Sequence, residues 1–454
     1  MKRTTMTSLA AAGIVAFAVS ACGETGLQSG VSDTTDAQTA EAVEESGAET
    51  QGSVETVIHL MMSNSQETGV SAAVEAFNEA YKGKLRCEAD YVAFNDVFET
   101  LEVMMSNQST EYDIFAADGP NVSAYVRRGY LQPLDQWFTE EDIAQFSPAM
   151  RTEATVDGQF YGAPMGNSET VMYYNKKLLE EAGIAIDFES VTPDNRLTWE
   201  QIVGYSHQVL DKLDPDGTKG LYGIEFQQVG RVYQMNILPN SLGGAQISED
   251  GLSVEGVINT QPWYDGLKFY QDQVNDGVFT RGISADETSS YFQSGKIVFY
   301  LGTTALPTAF AKNNFTDYGY TYIPCFQGYE KEIKTACGSW TIGMNKYCKN
   351  QDAAAEFIKY LTVGDGADVY INASGMVPAL TRQFTEELIQ SKPYMKLAQY
   401  EADNTALVRA ITPAFNEYSN SMNALWDNVR NGADINESVQ NCIDELNTAF
   451  MEYQ

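Results

Sequence analysis

The 454-residue chain is short of basic residues, with 28 lysines and arginines against 62 aspartates and glutamates and a formal charge of −34. A surface of that sign repels nucleic acid and anionic lipid headgroups, so no nucleic-acid partner is expected. Histidine is scarcer still, with only His59 and His207 present. Neither lies in a Gly-x-Ser-x-Gly setting, which leaves a Ser-His-Asp hydrolase nothing to assemble from. No His-Glu-x-x-His run or paired-cysteine spacing offers a zinc site, and there is no glycine-rich phosphate loop. Asp214-Pro215-Asp216-Gly217 opens like a calcium loop, but Gly223 stands where the bidentate carboxylate belongs. It reads as a turn. Neither metal nor cofactor is expected.

Cysteine is sparse and without pattern. Beyond Cys22 there are Cys87, Cys325, Cys337, Cys348 and Cys442. Cys87 alternates with Leu85 and Ala89 along a strand-like stretch and reads as a buried thiol. Cys325 and Cys337 could pair, and the sequence leaves that open.

No apolar run reaches membrane-spanning length. The stretch from Leu9 to Ala21 follows Lys2 and Arg3 and suits a signal-peptide core, residues 1–21. It ends in Val19-Ser20-Ala21-Cys22, which resembles the bacterial lipobox. That resemblance implies that Cys22 becomes the lipidated N-terminus, anchored on the extracytoplasmic face of the cell membrane. Plain secretory cleavage near Ala21 is the alternative. Losing Lys2 and Arg3 with the leader leaves 26 basic against 62 acidic residues, a charge of −36. Residues 22–54 are polar and small with no aromatic, so they read as a disordered tether with a reach of roughly 30 Å.

With 43% hydrophobic and 11% aromatic residues, the remainder can bury substantial cores. Val57–Met62 reads as a buried strand, followed by a helix with Val70, Val74, Phe77 and Tyr81 on one face and Gly83 at its end. Leu85–Val92 is a second strand. A helix capped by Asn95 or Asp96 carries Val97, Leu101, Met104 and Met105, and Tyr112–Ala117 is a third strand. Asp157-Gly158 reads as a tight hairpin turn. Strands alternating with helices give an α/β class with a largely parallel sheet, and ligands bind at the carboxyl ends of such strands. Asn64, Gln66 and Asp118 occupy those ends.

Further motifs follow in order: Gly129-Tyr130-Leu131-Gln132-Pro133-Leu134-Asp135, Asp157-Gly158-Gln159-Phe160-Tyr161-Gly162-Ala163-Pro164 and Tyr174-Asn175-Lys176-Lys177-Leu178-Leu179. Then come Thr198-Trp199-Glu200, Phe292-Gln293-Ser294-Gly295-Lys296 and Gly338-Ser339-Trp340-Thr341-Ile342-Gly343. The series, from about residue 55 to 450, resembles the sugar-type extracellular solute-binding proteins of bacterial ABC importers. The resemblance implies two discontinuous α/β lobes joined by hinge crossings, with ligand held between them. Carried onto this chain it puts crossings near Pro164–Thr170, Phe299–Thr303 and Thr362–Gly366. The first lobe then comprises 55–164 and 302–362, and the second 165–301 and 363–454.

The same resemblance implies a monomer that captures a carbohydrate and hands it to permease subunits driven by a separate ATPase. Sugar binding asks for aromatic faces and planar polar side chains. Ser168 and Glu169 fall at the first crossing, and Arg231, Tyr233 and Gln234 match a ligand-facing region of the family. Trp340 sits in a glycine-flanked loop where the family often contacts ligand. Many members carry a tryptophan at the position of Thr304, and Tyr300 is the nearby candidate to replace it. The alternatives are a non-sugar solute, a surface glycoside hydrolase built on two of the many carboxylates, or an adhesin.

Overall fold

The computed structural model describes residues 55–453, so the leader, Cys22 and the tether to Val54 lie outside the described residues. Among the described residues no helix is long and apolar enough to cross a membrane.

The chain begins with β1 (Thr56–Ser63), then the helix Glu67–Ala80, which buries Val70, Ala73 and Phe77. Strand β2 (Leu85–Val92) pairs with β1 in parallel. The next helix starts at Phe94, so Asn95 and Asp96 fall inside its first turn and Ala93 is the capping position. Strand β3 (Ile114–Asp118) lies parallel to β1 on its other side. Short strands β4 (Leu131–Gln132), β5 (Thr155–Val156) and β6 (Gln159–Phe160) follow, and the last two form a hairpin. Asp157 and Gly158 both take positive φ there, 50° and 79°, as a tight two-residue turn requires.

From there the chain alternates between two sheets. Strand β7 (Gly162–Asn167) belongs to the first and β8 (Thr170–Asn175) to the second. The second sheet adds β9 (Tyr222–Phe226), β10 (Ile297–Thr303) and β11 (Tyr318–Thr321), in the order β11-β8-β10-β9. A short β12 (Thr335–Ala336) precedes β13 (Ser339–Asn345), and β14 (Val377–Pro378) and β15 (Ala406–Leu407) close the series. The first sheet has seven strands in the order β14-β7-β13-β3-β1-β2, with β4 also on β13.

Three expectations are corrected. The first sheet is mixed: β13 runs antiparallel to both β3 and β7, because it arrives from the other lobe instead of through a local helix. Phe299–Thr303 is no crossing. It lies within β10, hydrogen-bonded to β8 and β9, so the chain stays with the second sheet through β11 and returns only at Cys337-Gly338. Thr362–Gly366 is no crossing either, since β14 beyond it pairs with β7 of the first sheet. The last passage runs near 404–414, where β15 pairs in parallel with β12.

Each sheet has its own core. Ile58, Leu60, Phe77, Ile342 and Phe357 are fully buried around the first. Phe226, Trp263, Tyr270 and Trp426 are fully buried in the second. Trp199 joins the second core at the start of the helix Trp199–Leu213, where Thr198 and Gln201 form a reciprocal capping box.

Candidate functional site

The crossings are stitched to one another. The Ser168 amide donates to the Gly338 carbonyl at 2.8 Å, and Thr170 Oγ1 donates to the Ala336 carbonyl at 3.3 Å. A side chain at Gly338 would place Cβ 2.5 Å from Ser168 Oγ and 3.1 Å from the Tyr233 ring, so a larger residue would have to displace the Ser168 hydroxyl. Tyr233, on a short helix of the second lobe, donates its hydroxyl to the Ser168 carbonyl at 2.5 Å.

At the carboxyl end of β3, Asp118 receives a two-pronged bond from Arg409, Nη1 to Oδ2 at 2.8 Å and Nη2 to Oδ1 at 2.6 Å. Arg409 comes from the last crossing segment. Its Nε lies 3.5 Å from Glu153 Oε1, and its guanidinium carbon sits 5.9 Å from the centre of the Tyr233 ring. Ser339 donates its hydroxyl to the other Glu153 oxygen, and a side chain at Gly119 would collide with both groups. Burial pushes the Glu153 carboxyl up, against the pull of Arg409. Burial alone would lower the Arg409 guanidinium, but Asp118 and Glu153 hold it above the ordinary arginine value.

Trp340 and Asp118 are direct partners in the β13/β3 pairing, so both side chains fall on one face of the first sheet. Trp340 packs into the first core and keeps 9% of its surface exposed. Gln66 is buried beside Tyr370, whose hydroxyl donates to Gln66 Oε1 at 2.6 Å, while Asn64 is exposed.

The remaining candidates separate. Glu169 is fully buried at the first crossing, with Oε2 bonded to Asn167 Nδ2 at 2.9 Å and Oε1 without a protein partner. Burial, and then the nearby Glu401, raise its carboxyl well above the ordinary range. Its side chain is enclosed by protein on every side. Gln234 is likewise fully buried, holding the Gln228 amide at 2.8 Å. Tyr300 is removed from the cleft altogether: it is fully buried, stacked on Phe292 at 4.9 Å and bonded to Thr288 Oγ1 at 2.9 Å. It cannot replace the missing tryptophan, because the inward face of β10 carries it into the core. Arg231 is exposed and lines a cavity of about 470 Å³ with Ser284, Asp286, Asn423 and Asp427. Asn423 also accepts from the Val232 amide at 2.7 Å, which fixes the short helix carrying Tyr233. A cavity of about 520 Å³ elsewhere on the second lobe, lined by Lys177, Lys219 and Lys296, contains none of the crossing residues.

Sequence reasoning missed Arg409 and Glu153. Arg409 stands alone among Leu407, Val408, Ala410 and Ile411. A cation in an apolar stretch requires a carboxylate partner, and that signal was available. Among the described residues no group of three or more His, Cys, Asp or Glu is placed to hold a metal ion.

A family model described as bacterial extracellular solute-binding protein matches residues 72–396. The chain belongs to that family. A binding protein of Brucella abortus (strain 2308) is 25% identical over 239 residues, 50% of this chain and 54% of that protein. The chain thus spans about half the length of that relative. The maltodextrin-binding protein of Bacillus subtilis (strain 168) is 23% identical, covering 73% of this chain and 78% of its own. Among solved structures, an ABC substrate-binding protein of Listeria monocytogenes in complex with cycloalternan superposes with a TM-score of 0.74 at 18% identity. The match covers 87% of this chain and 99% of that one. It shares the two-lobed α/β fold.

Proposed function

We propose that this protein captures a carbohydrate, an oligosaccharide, between its two lobes and delivers it to the permease of an ABC importer whose ATPase is a separate subunit. The observation that carries this reading is the convergence at the crossings. Asp118 and Trp340 are paired neighbours on the first sheet, and Arg409, bonded to Asp118, lies over the ring of Tyr233, which is itself bonded to Ser168 at the first crossing. Asp118 supplies a charged acceptor for sugar hydroxyls, and Trp340 and Tyr233 supply aromatic surface. The maltodextrin-binding relative and the cycloalternan-bound structure support an oligosaccharide as the ligand class. In this reading the leader 1–21 is removed, Cys22 carries lipid, residues 22–54 tether a monomer, and ligand leaves chemically intact.

Calorimetry of the full-length protein in detergent against maltotriose, maltotetraose, cycloalternan, mannitol and amino acids tests the ligand class. Saturation at a hundredfold over Kd adds about 2.7 kcal/mol, so thermal unfolding reports the same event. Binding of an amino acid alone, or release of shorter sugars during incubation, overturns the reading. Unchanged detergent partitioning of Cys22→Ser overturns the anchor.

A further inference from the structure

We propose that Arg409 is a positioning residue that aims Asp118 into the cleft and sets how far the lobes open before ligand arrives. This rests on the carbohydrate-binding reading above. Arg409 lies on the segment that leaves β15 and enters the second-lobe helix Phe415–Arg430, so its backbone moves with the crossing. Its side chain, by contrast, is committed to the first lobe. Two parallel bonds reach Asp118, Nε lies against Glu153 Oε1, and its own backbone amide reaches that oxygen at 3.3 Å. The guanidinium carbon lies over the ring of Tyr233 of the second lobe, 5.9 Å from its centre. One side chain therefore bonds the first lobe and faces an aromatic ring of the second.

The fork leaves work for Asp118 to do. A carboxylate offers about four lone-pair sites, and a two-pronged arginine occupies two of them. The other two stay available to ligand hydroxyls, and the fork fixes their direction. An acceptor held in place before binding loses less freedom when ligand arrives. The Asp118 side chain is 18% exposed and Arg409 10%, so the pair is sheltered yet open on one side. Glu153, at 1%, has no such opening and serves to hold the cation.

The test uses full-length protein in detergent, with nitroxide labels on Lys82→Cys in the first lobe and Lys268→Cys in the second. These lysine side chains are 76% and 67% exposed, while Cys87, Cys325, Cys337, Cys348 and Cys442 are buried. Arg409→Gln is expected to broaden the ligand-free label-to-label distance distribution and to weaken maltotriose binding at least tenfold. Arg409→Lys restores charge without the fork and is expected to fall between wild type and Arg409→Gln on both readouts. In a double-mutant cycle, Asp118→Asn and Arg409→Gln should be strongly non-additive. An unchanged distance distribution, affinity within twofold of wild type, or additive effects would each overturn the inference. If Arg409→Gln does not fold, Arg409→Lys decides on the same two readouts. If wild-type protein binds neither maltotriose nor any sugar of the panel, the functional reading fails while the ligand-free distance measurement still judges Arg409.

Discussion

Two buried arginine–carboxylate clusters flank the crossings, and their difference separates scaffold from site. Arg196 and Glu401 are 2% and 0% exposed and meet at 2.9 Å. Both side chains are enclosed by protein partners. Arg196 also donates to the Ile323 carbonyl at 3.0 Å, and Glu401 accepts from the Ile323 amide, Thr335 and Thr405. Tyr322 and Tyr400 rings cover the guanidinium at 5.4 and 5.9 Å. Arg409 and Asp118 use the same chemistry but leave one side of the carboxylate open. A closed cluster can only hold the fold, whereas an open one can also hold a ligand.

Breaking the closed cluster should have the largest effect on stability. Arg196→Ala leaves Glu401 buried without its cation, and orphaning one partner of such a pair costs about 3–5 kcal/mol. Denaturant unfolding should show that loss, with carbohydrate affinity of the folded protein unchanged. Lost affinity without lost stability would erase the distinction between the clusters.

A third pair sharpens it through pH. Glu225 lies 3.8 Å from Arg430 and is fully buried, and burial raises its carboxyl from 4.5 to about 7, against the pull of Arg430 and of the hydroxyl donated by Thr280. Between those pH values the folded protein keeps a proton that the unfolded chain releases. The stability this group contributes is therefore full below pH 4.5 and is lost as pH rises to 7, amounting to about 3 kcal/mol. Glu225→Gln cannot titrate, so unfolding free energies measured from pH 4.5 to 7 should slope less steeply than in wild type. Parallel slopes would place the titration elsewhere.

The open cluster should respond in affinity more than in stability. Asp118→Ala removes a charged acceptor but leaves Arg409 beside Glu153, so the cation stays paired. Calorimetry should show at least a tenfold weaker Kd, which is about 1.4 kcal/mol. Circular dichroism should remain native. An unfolded Asp118→Ala protein would instead make the two clusters equivalent.

The sequence was most legible where periodicity and neighbours agree. From β1 to β3 the helices and strands alternate, and Val70 and Phe77 on the first helix and Val97 and Leu101 on the second could be read as buried from spacing. Legibility failed at β10, whose residues Ile297–Thr303 are all buried. With both faces covered there is no alternation to mark a strand's end, and the family pattern suggested a crossing there. The true return is marked only by small residues, Ala336, Cys337 and Gly338, which carry no periodic signal. Asp118 was legible as a strand end, but its partner Arg409 is far along the chain. Pairing at such distance is a property of the fold, not of any local pattern.

The smallest predicted effect concerns Tyr300, and it tests whether burial alone can remove a residue from the site. Sequence position favoured it as a stand-in for the tryptophan absent at Thr304. In the structure its ring is stacked on Phe292, and its hydroxyl shares a hydrogen bond with Thr288 Oγ1. Tyr300→Phe keeps the ring and its packing and deletes only that bond. Thr288 Oγ1 can still donate to the Ala285 carbonyl at 3.0 Å, so no buried donor is stranded. A neutral buried hydrogen bond contributes about 1 kcal/mol net. Thermal unfolding should therefore fall by a few degrees at most, and oligosaccharide affinity should stay within twofold of wild type. Tyr233→Phe is the matched comparison, since it deletes a hydroxyl bonded across the crossing to the Ser168 carbonyl. It should lower affinity more than Tyr300→Phe does. Equal affinity losses in the two would mean that the second core, and not the crossing, transmits the effect.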